Sequence, residues 1–480
     1  MTRRPLAILL ASLLLAGCGA AASPSAAGQA TAPAASTTPA APAAPSGAAS
    51  PAASDAAATA RAFVDAVAHG DGAAAETLED DTMRAAAPAA KLAALWTQLV
   101  AQFGAYQSIG SVDSAQQPPY TVVTVQTSFA NATVPLLVTI SQAGRVSGLH
   151  IGSPGPPASA APGAATPSPA AYVDPSAFTE TEVTVGSAPW ALPGTLSMPK
   201  GAGPFPAVVL VAGSGPEDRD ETIGPNKPLR DVAWGLASAG IAVLRYDKRT
   251  LVYASQMASL TDITVRQEVT DDAVAAVALL RSTAGVDPAR VFLVGHSLGG
   301  YLAPRIAARV PGQLKGIGLL EAPSTPLAEL ILAQSRYLAT LGGATPDPSA
   351  SAALADLATK VQLAESPGLS PSTPPSELPL GVPASYWLDL QAYDPLATAA
   401  GLDLPMFFSQ GGRDYQVPPS ELGPWQRALA GRPDVTYKSY PALDHLLFEG
   451  SGPSTPAEYT QPAHVAAQLV ADLATWVKGH

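Results

Sequence analysis

The sequence predicts a doubly wound, mostly parallel α/β sheet with a lid insertion, preceded by a small α+β domain. Three observations carry that prediction. From about residue 175 onward, short apolar runs alternate with amphipathic stretches. A glycine-flanked serine lies between one such run and the helical stretch that follows it. Two segments rich in Ala, Pro, Ser, Thr and Gly separate the regions able to fold.

The chain opens with Arg3-Arg4, an apolar core from Leu6 to Leu15, and the small-residue run Leu15-Ala16-Gly17-Cys18. This order resembles a bacterial lipoprotein signal (residues 1–17), which implies cleavage before Cys18 and acyl chains on that cysteine. The protein would then be held on a bacterial cell membrane or outer membrane, outside the cytoplasm. The alternative is an ordinary secretory signal with a chance cysteine. The apolar core is too short for a stop-transfer helix. Cys18 is the only cysteine, which excludes an intrachain disulfide and a Cys-rich metal site. Residues 18–54 lack the large apolar side chains needed to offset ordering entropy and predict a disordered tether.

Residues 55–151 predict the small, cone-like α+β domain. Ala60, Phe63, Val64 and Val67 share one helical face, and Leu92, Leu95, Trp96, Leu99 and Phe103 share another. Strand-like runs follow at Tyr120 to Val125, Val134 to Ile140 and Val146 to Ile151. No convergent polar set marks this region, so a spacer or accessory module is the expectation, with a ligand-binding domain as the alternative. Residues 152–174 read as a second linker.

Residues 175–480 predict the large domain. After a strand pair (Glu182 to Val185, Thr195 to Met198), strands are expected at Ala207 to Val211, Ile241 to Arg245, Val291 to Val294, Gly316 to Leu320, Met406 to Ser409 and Thr436 to Tyr440. Continuous apolar strands fit a sheet covered on both faces. A helix is expected over Val265 to Leu280. Between residues 322 and 400 the alternation breaks into a helix around Leu327 to Leu341 and a Pro/Ser-rich run, Pro346 to Pro383. An insertion this long after a strand reads as a cap or lid. Leu330, Tyr337, Tyr386 and Trp387 either line an acyl pocket or pack that lid onto the body.

The chemistry centres on Gly295-His296-Ser297-Leu298-Gly299, between the apolar run Arg290 to Leu293 and the helical spacing of Tyr301 to Ala307. Strand, tight turn and helix with serine at the apex is the frame in which G-x-S-x-G exposes a nucleophile. A serine needs a base, and the chain has six histidines. His296 projects away from Ser297, His69 and His150 belong to the small domain, His464 is placed in a C-terminal helix, and His480 ends the chain. His445, in the loop after the last strand, remains. The orienting acid should fall between serine and histidine in chain order. Asp414 leaves a buried strand on the turn Gly411-Gly412-Arg413 and is the first candidate. Its rivals are Glu321, after an earlier strand, and Asp403, which precedes the strand; Asp444 reads as a loop cap.

With these motifs, residues 175–480 resemble an α/β-hydrolase of the bacterial carboxylesterase group related to dienelactone-hydrolase-like enzymes. The stretches Val209 to Glu221 and Arg245 to Thr250 resemble that group's oxyanion loop and the turn after its next strand. The small domain resembles a domain of unknown function, related to nuclear-transport-factor-like folds, that precedes some of these esterases. The resemblance implies a Ser297–His445–Asp414 triad, oxyanion donation by the backbone amides of Leu298 and Ser214, and hydrolysis of short-chain acyl esters. One departure stands out: the group usually has His-Gly where this chain has Ala212-Gly213. The acidic run Glu217-Asp218-Arg219-Asp220 reads as a solvated loop with internal ion pairs. The chemistry requires no cofactor and no metal. A net charge of −12 with 13% charged residues leaves no basic face for nucleic acid. Two other classes compete: a serine peptidase of the prolyl-oligopeptidase type, whose propeller is missing, and a non-catalytic binding lipoprotein, which would need a degraded triad.

Overall fold

A computed structural model describes residues 53–117, 120–130, 132–151, 168–258, 260–346 and 348–480. The signal segment with Cys18, nearly all of the 18–54 tether and most of the 152–174 linker lie outside the described residues. The chain divides into two compact units.

In the first, helices Ala53–Ala68, Gly72–Leu78, Asp81–Ala86 and Ala89–Phe103 precede a four-stranded antiparallel meander. Its strands are β1 (Tyr106–Gln117), β2 (Tyr120–Phe129), β3 (Thr133–Ile140) and β4 (Val146–Ile151). Inward and outward positions alternate along β3, so Val134, Leu136, Val138 and Ile140 reach the core with Phe63, Leu92 and Trp96. Strand β1 was not expected from sequence. It is an edge strand, largely polar, with two irregularities in its pairing to β2. Asp71 and Asp80 cap the helices that follow them, which accounts for the acidic residues at those turns.

The second unit holds an eight-stranded sheet. The strands are β5 (Phe178–Val185), β6 (Leu192–Pro199), β7 (Phe205–Val211), β8 (Ala242–Tyr246), β9 (Val286–His296), β10 (Gly316–Leu320), β11 (Met406–Gly411) and β12 (Val435–Tyr440). Their order is β12-β11-β10-β9-β7-β8-β6-β5, parallel from β12 through β8, with β6 and β5 antiparallel at one end. Alternate side chains of one strand enter different cores. Val209 and Val211 pack on one face with helices Asp271–Arg281 and Leu298–Arg309. Val208 and Leu210 pack on the other with helices Pro228–Ser238 and Ala467–Gly479. Both faces are therefore covered, as the apolar strands required.

Three local expectations change. The stretch read as one helix from Val265 opens with a wide π-turn, Arg266–Thr270, before the helix Asp271–Arg281. That wider turn brings Glu268 into the interior. The Pro/Ser-rich run contains a helix, Pro348–Ala364, whose Leu357, Ala358, Val361 and Ala364 pack on the sheet's core. His464 precedes the C-terminal helix and bonds Asp231 Oδ2 at 2.8 Å. In the insertion, Leu330, Tyr386 and Trp387 are buried, and Tyr337 stacks on Tyr415 while donating to Ser454 O. Tyr337, Tyr386 and Trp387 hold the insertion to the body.

Candidate active site

Ser297 terminates the central strand β9 and begins the helix Leu298–Arg309. Its backbone stands at φ 51°, ψ −117°, a region that costs a non-glycine residue about 1–3 kcal/mol. The turn is over-determined by its neighbours. A Cβ on Gly295 would lie 2.1 Å from Gly299 O, and one on Gly299 would lie 2.3 Å from Val211 O. Ser297 N–H donates to Leu320 O at 2.9 Å, which fastens the turn to β10. The hydroxyl makes no capping bond to the helix that it begins. Among the described residues it has no hydrogen-bond partner at all. Contacts of this kind often tighten only when substrate binds.

His445 and Asp414 meet beyond the ends of β12 and β11. His445 Nδ1–H donates to Asp414 Oδ2 at 2.7 Å, and both side chains are buried. Asp414 Oδ1 accepts from the amides of Gln416 and Val417, each at 2.8 Å. That arrangement leaves Nε2 as the ring nitrogen turned to other work. Asp444 Oδ1 accepts from the amides of Leu446 and Phe448, so it caps the loop as expected.

Glu321, the rival acid, does not bond His445. It is fully buried at the end of β10 with φ 48°. It accepts from Ser409 Oγ at 3.2 Å, Gln410 Nε2 at 3.1 Å and Gly411 N at 2.7 Å. Burial raises Glu321 well above the usual carboxylate range, and the neighbouring Asp414 raises it further. Burial raises Asp414 as well, but bonds from the Val417 and Gln416 amides and from Glu321 favour its ionised form. Each carboxylate disfavours the other's charge, which keeps Glu321 on the neutral side. Asp403 lies before β11, at the opposite edge of the sheet.

The loop expected to supply an oxyanion donor follows β7. Leu298 opens its helix, where backbone N–H groups lack intrahelical partners, and Ser214 N–H has no hydrogen-bond partner among the described residues. A Cβ on Gly213 would stand 3.2 Å from Ser297 Cβ, so loop and serine abut.

The residues missed from sequence are His296 and Glu221. His296 does project away from Ser297, but into a bonded network. Its Nδ1–H donates to Glu221 Oε1 at 3.0 Å, and its Nε2–H donates to His445 O at 2.8 Å. Donation from both nitrogens requires the imidazolium. Burial opposes that charge, but Glu221 outweighs it and pushes His296 up to about 9. Glu221, at φ 54°, also accepts from Gly213 N at 2.7 Å. Glu221 and His296 thus tie the loop after β7 to the His445 loop, in a chain with alanine at 212. The rings of His296 and His445 lie 4.8 Å apart. Burial first, then the His296 charge, pushes His445 down to about 3. At neutral pH His445 is therefore an unprotonated base. The acidic run is not freely solvated: Arg219 pairs with Asp247 and Glu182, and Asp220 with Lys227 and Arg245.

Comparison with known proteins agrees with this frame. The alpha/beta hydrolase family profile matches residues 208–461, and a family described as protein of unknown function (DUF3887) matches residues 60–149. Esterase EstD of Thermotoga maritima is 38% identical over 386 residues, covering 80% of this chain and 86% of that protein. Among solved structures, Est1E from Butyrivibrio proteoclasticus aligns at 16% identity and TM-score 0.40, covering 62% of this chain and 99% of its own. The hyperthermophilic esterase of the archaeon Pyrobaculum calidifontis aligns at 15% identity and TM-score 0.41, covering 63% and 85%. With a family profile matched from β7 to beyond His445, and a relative aligned along most of both chains, this protein belongs to the α/β-hydrolase family.

Proposed function

We propose that the protein is a serine carboxylesterase that hydrolyses short-chain acyl esters through an acyl-enzyme. One observation carries the reading: a strained serine ends the central strand at the same sheet edge as a bonded His445–Asp414 pair. The kinship with an esterase at 38% identity supports ester hydrolysis as the reaction class. Ser297 Oγ attacks the ester carbonyl carbon while His445 Nε2 takes the hydroxyl proton. The Ser214 and Leu298 amides hold the oxyanion, and each such donor is typically worth ~3–4 kcal/mol. Collapse expels the alcohol, which receives the proton from His445. Water, activated by the same nitrogen, then releases the acid and restores Ser297. Asp414 keeps the His445 proton on Nδ1 throughout.

The acyl preference follows from how the insertion is held. Its large side chains Tyr386 and Trp387 are committed to packing, which leaves little to form a greasy, mobile lid. Each methylene that found a fitting slot would add ~0.8 kcal/mol of binding. A pocket that ends early therefore shows as a peak, expected at roughly two to six carbons. Specificity constants measured on a series of p-nitrophenyl esters check this. A steady rise to roughly twelve or sixteen carbons, with activation at an oil–water interface, would make the enzyme a lipase.

We also propose that the enzyme lies outside the cytoplasm, held to a membrane by lipid on Cys18. Cys18→Ser removes the attachment atom, so activity should leave the membrane fraction. Membrane-bound activity equal to that of the unaltered protein rejects the anchor.

A further inference from the structure

Lys248 lies in the turn that follows β8, and the chemistry above leaves it unused. It is 4% exposed. Its ammonium donates to Gly213 O at 2.7 Å and to Glu268 Oε1 at 2.7 Å. Glu268 in turn accepts at Oε2 from the hydroxyl of Tyr386, at 2.6 Å, on the insertion helix Ala384–Gln391.

Gly213 O is not an arbitrary acceptor. It belongs to the peptide unit whose N–H is that of Ser214, the loop's oxyanion donor. That unit is trans, since the cis bonds among the described residues are Ala188–Pro189 and Gly203–Pro204. In a trans unit C=O and N–H point in opposite directions. A cation bonded to the oxygen therefore sits behind the donor and draws electron density away from the N–H. Charge-assisted bonds are about twice as strong as neutral ones, and in a low-dielectric interior bonded groups polarise one another. The preceding peptide unit is fixed separately, because Gly213 N–H is held by Glu221. Gly213 is thus bonded on both sides, by a carboxylate and an ammonium.

We propose that Lys248 is a positioning residue for ester hydrolysis: its ammonium, bonded to Gly213 O, aims and polarises the Ser214 N–H toward the developing oxyanion. Glu268 and Tyr386 hold the ammonium in place, which couples the seating of the insertion to the strength of the oxyanion hole. The inference rests on the oxyanion role given to Ser214 above. A purely structural ion pair would affect melting and leave the transition state alone.

The test uses the full chain. Lys248→Met alone strands a buried Glu268 charge, so Lys248→Met/Glu268→Gln is the main variant, because it removes both charges together. Lys248→Gln, which retains a neutral donor, is the second and carries the test should the double variant not fold. The double variant should lose about 10- to 100-fold in kcat, less than or near the loss of a whole donor. KM should stay within about twofold, as for an interaction made in the transition state. Affinity for an alkyl boronic acid, a tetrahedral analogue, should weaken in proportion to kcat/KM, with Lys248→Gln between the double variant and the unaltered enzyme. Unchanged kcat, or a lower kcat with undiminished boronic-acid affinity, overturns the role of Lys248. Fluorophosphonate labelling separates that failure from failure of the underlying reading. Unaltered enzyme labelled at Ser297 beside a fully active double variant discards only Lys248. Active enzyme that is not labelled at Ser297 discards the esterase mechanism itself.

Discussion

Ser297→Ala should abolish ester hydrolysis while the protein melts where the unaltered protein melts. The loss in kcat is expected at about 10⁶-fold, the scale seen when a triad nucleophile is removed and only binding and the oxyanion hole remain. The stability expectation has a separate basis. The hydroxyl has no hydrogen-bond partner among the described residues, so its removal leaves no buried group unpaired. Serine and alanine meet the same steric cost at φ 51°, and Gly295, Gly299 and the Ser297 N–H to Leu320 O bond, which hold the turn, are untouched. The change in stability should therefore fall within about 0.5 kcal/mol. Turnover and thermal melting on the same preparation check both halves. Hydrolysis within tenfold of the unaltered enzyme would remove Ser297 from the mechanism, and with it the esterase reading.

That variant tests the part of the site most legible in the sequence, because its signal is local. An apolar strand, two glycines where a Cβ would strike backbone, and a helical repeat lie within about twenty residues. His445 was legible for a related reason: histidines are few, and one sits in the loop after the last strand. The His296–Glu221 pair was not legible, since its members are 75 residues apart and neither stands in a motif that demands the other. The alanine at 212 gave only an indirect sign that the loop needed another anchor. Two fold elements were lost to composition. Prolines and serines in the 346–383 run concealed the Leu354, Leu357, Val361 spacing of a packed helix. The edge strand β1 carries too few apolar residues to alternate visibly: Tyr106, Ile109 and Val112 reach the core, and the remainder is mostly polar. Asp414 and Glu321 posed a different difficulty. They follow adjacent parallel strands, β11 and β10, so both reach the same sheet edge, and only side-chain direction distinguishes them.

That direction makes the acid assignment sharply testable. Asp414→Asn should lower kcat by about 10⁴-fold at neutral pH, whereas Glu321→Gln should stay within about tenfold of the unaltered enzyme. The carboxamide that replaces the Asp414 carboxylate has little freedom, because two backbone N–H groups, from Gln416 and Val417, point at the inner oxygen at 2.8 Å. Its carbonyl oxygen must face them, which turns its NH₂ toward His445 Nδ1. Nδ1 must then accept, and the ring proton moves to Nε2, the atom that should take the proton of Ser297. The base is thereby blocked by tautomer rather than by displacement. Glutamine at 321 does the reverse. Glu321 is already pushed toward its neutral form, as a group that accepts from Gly411 N and bonds Asp414. A glutamine reproduces that pattern, its oxygen receiving the Gly411 amide and its NH₂ facing Asp414. Steady-state kinetics of the two variants, with melting curves to confirm folding, decide the matter. Near-normal turnover in Asp414→Asn together with a collapse in Glu321→Gln would transfer the orienting role to Glu321.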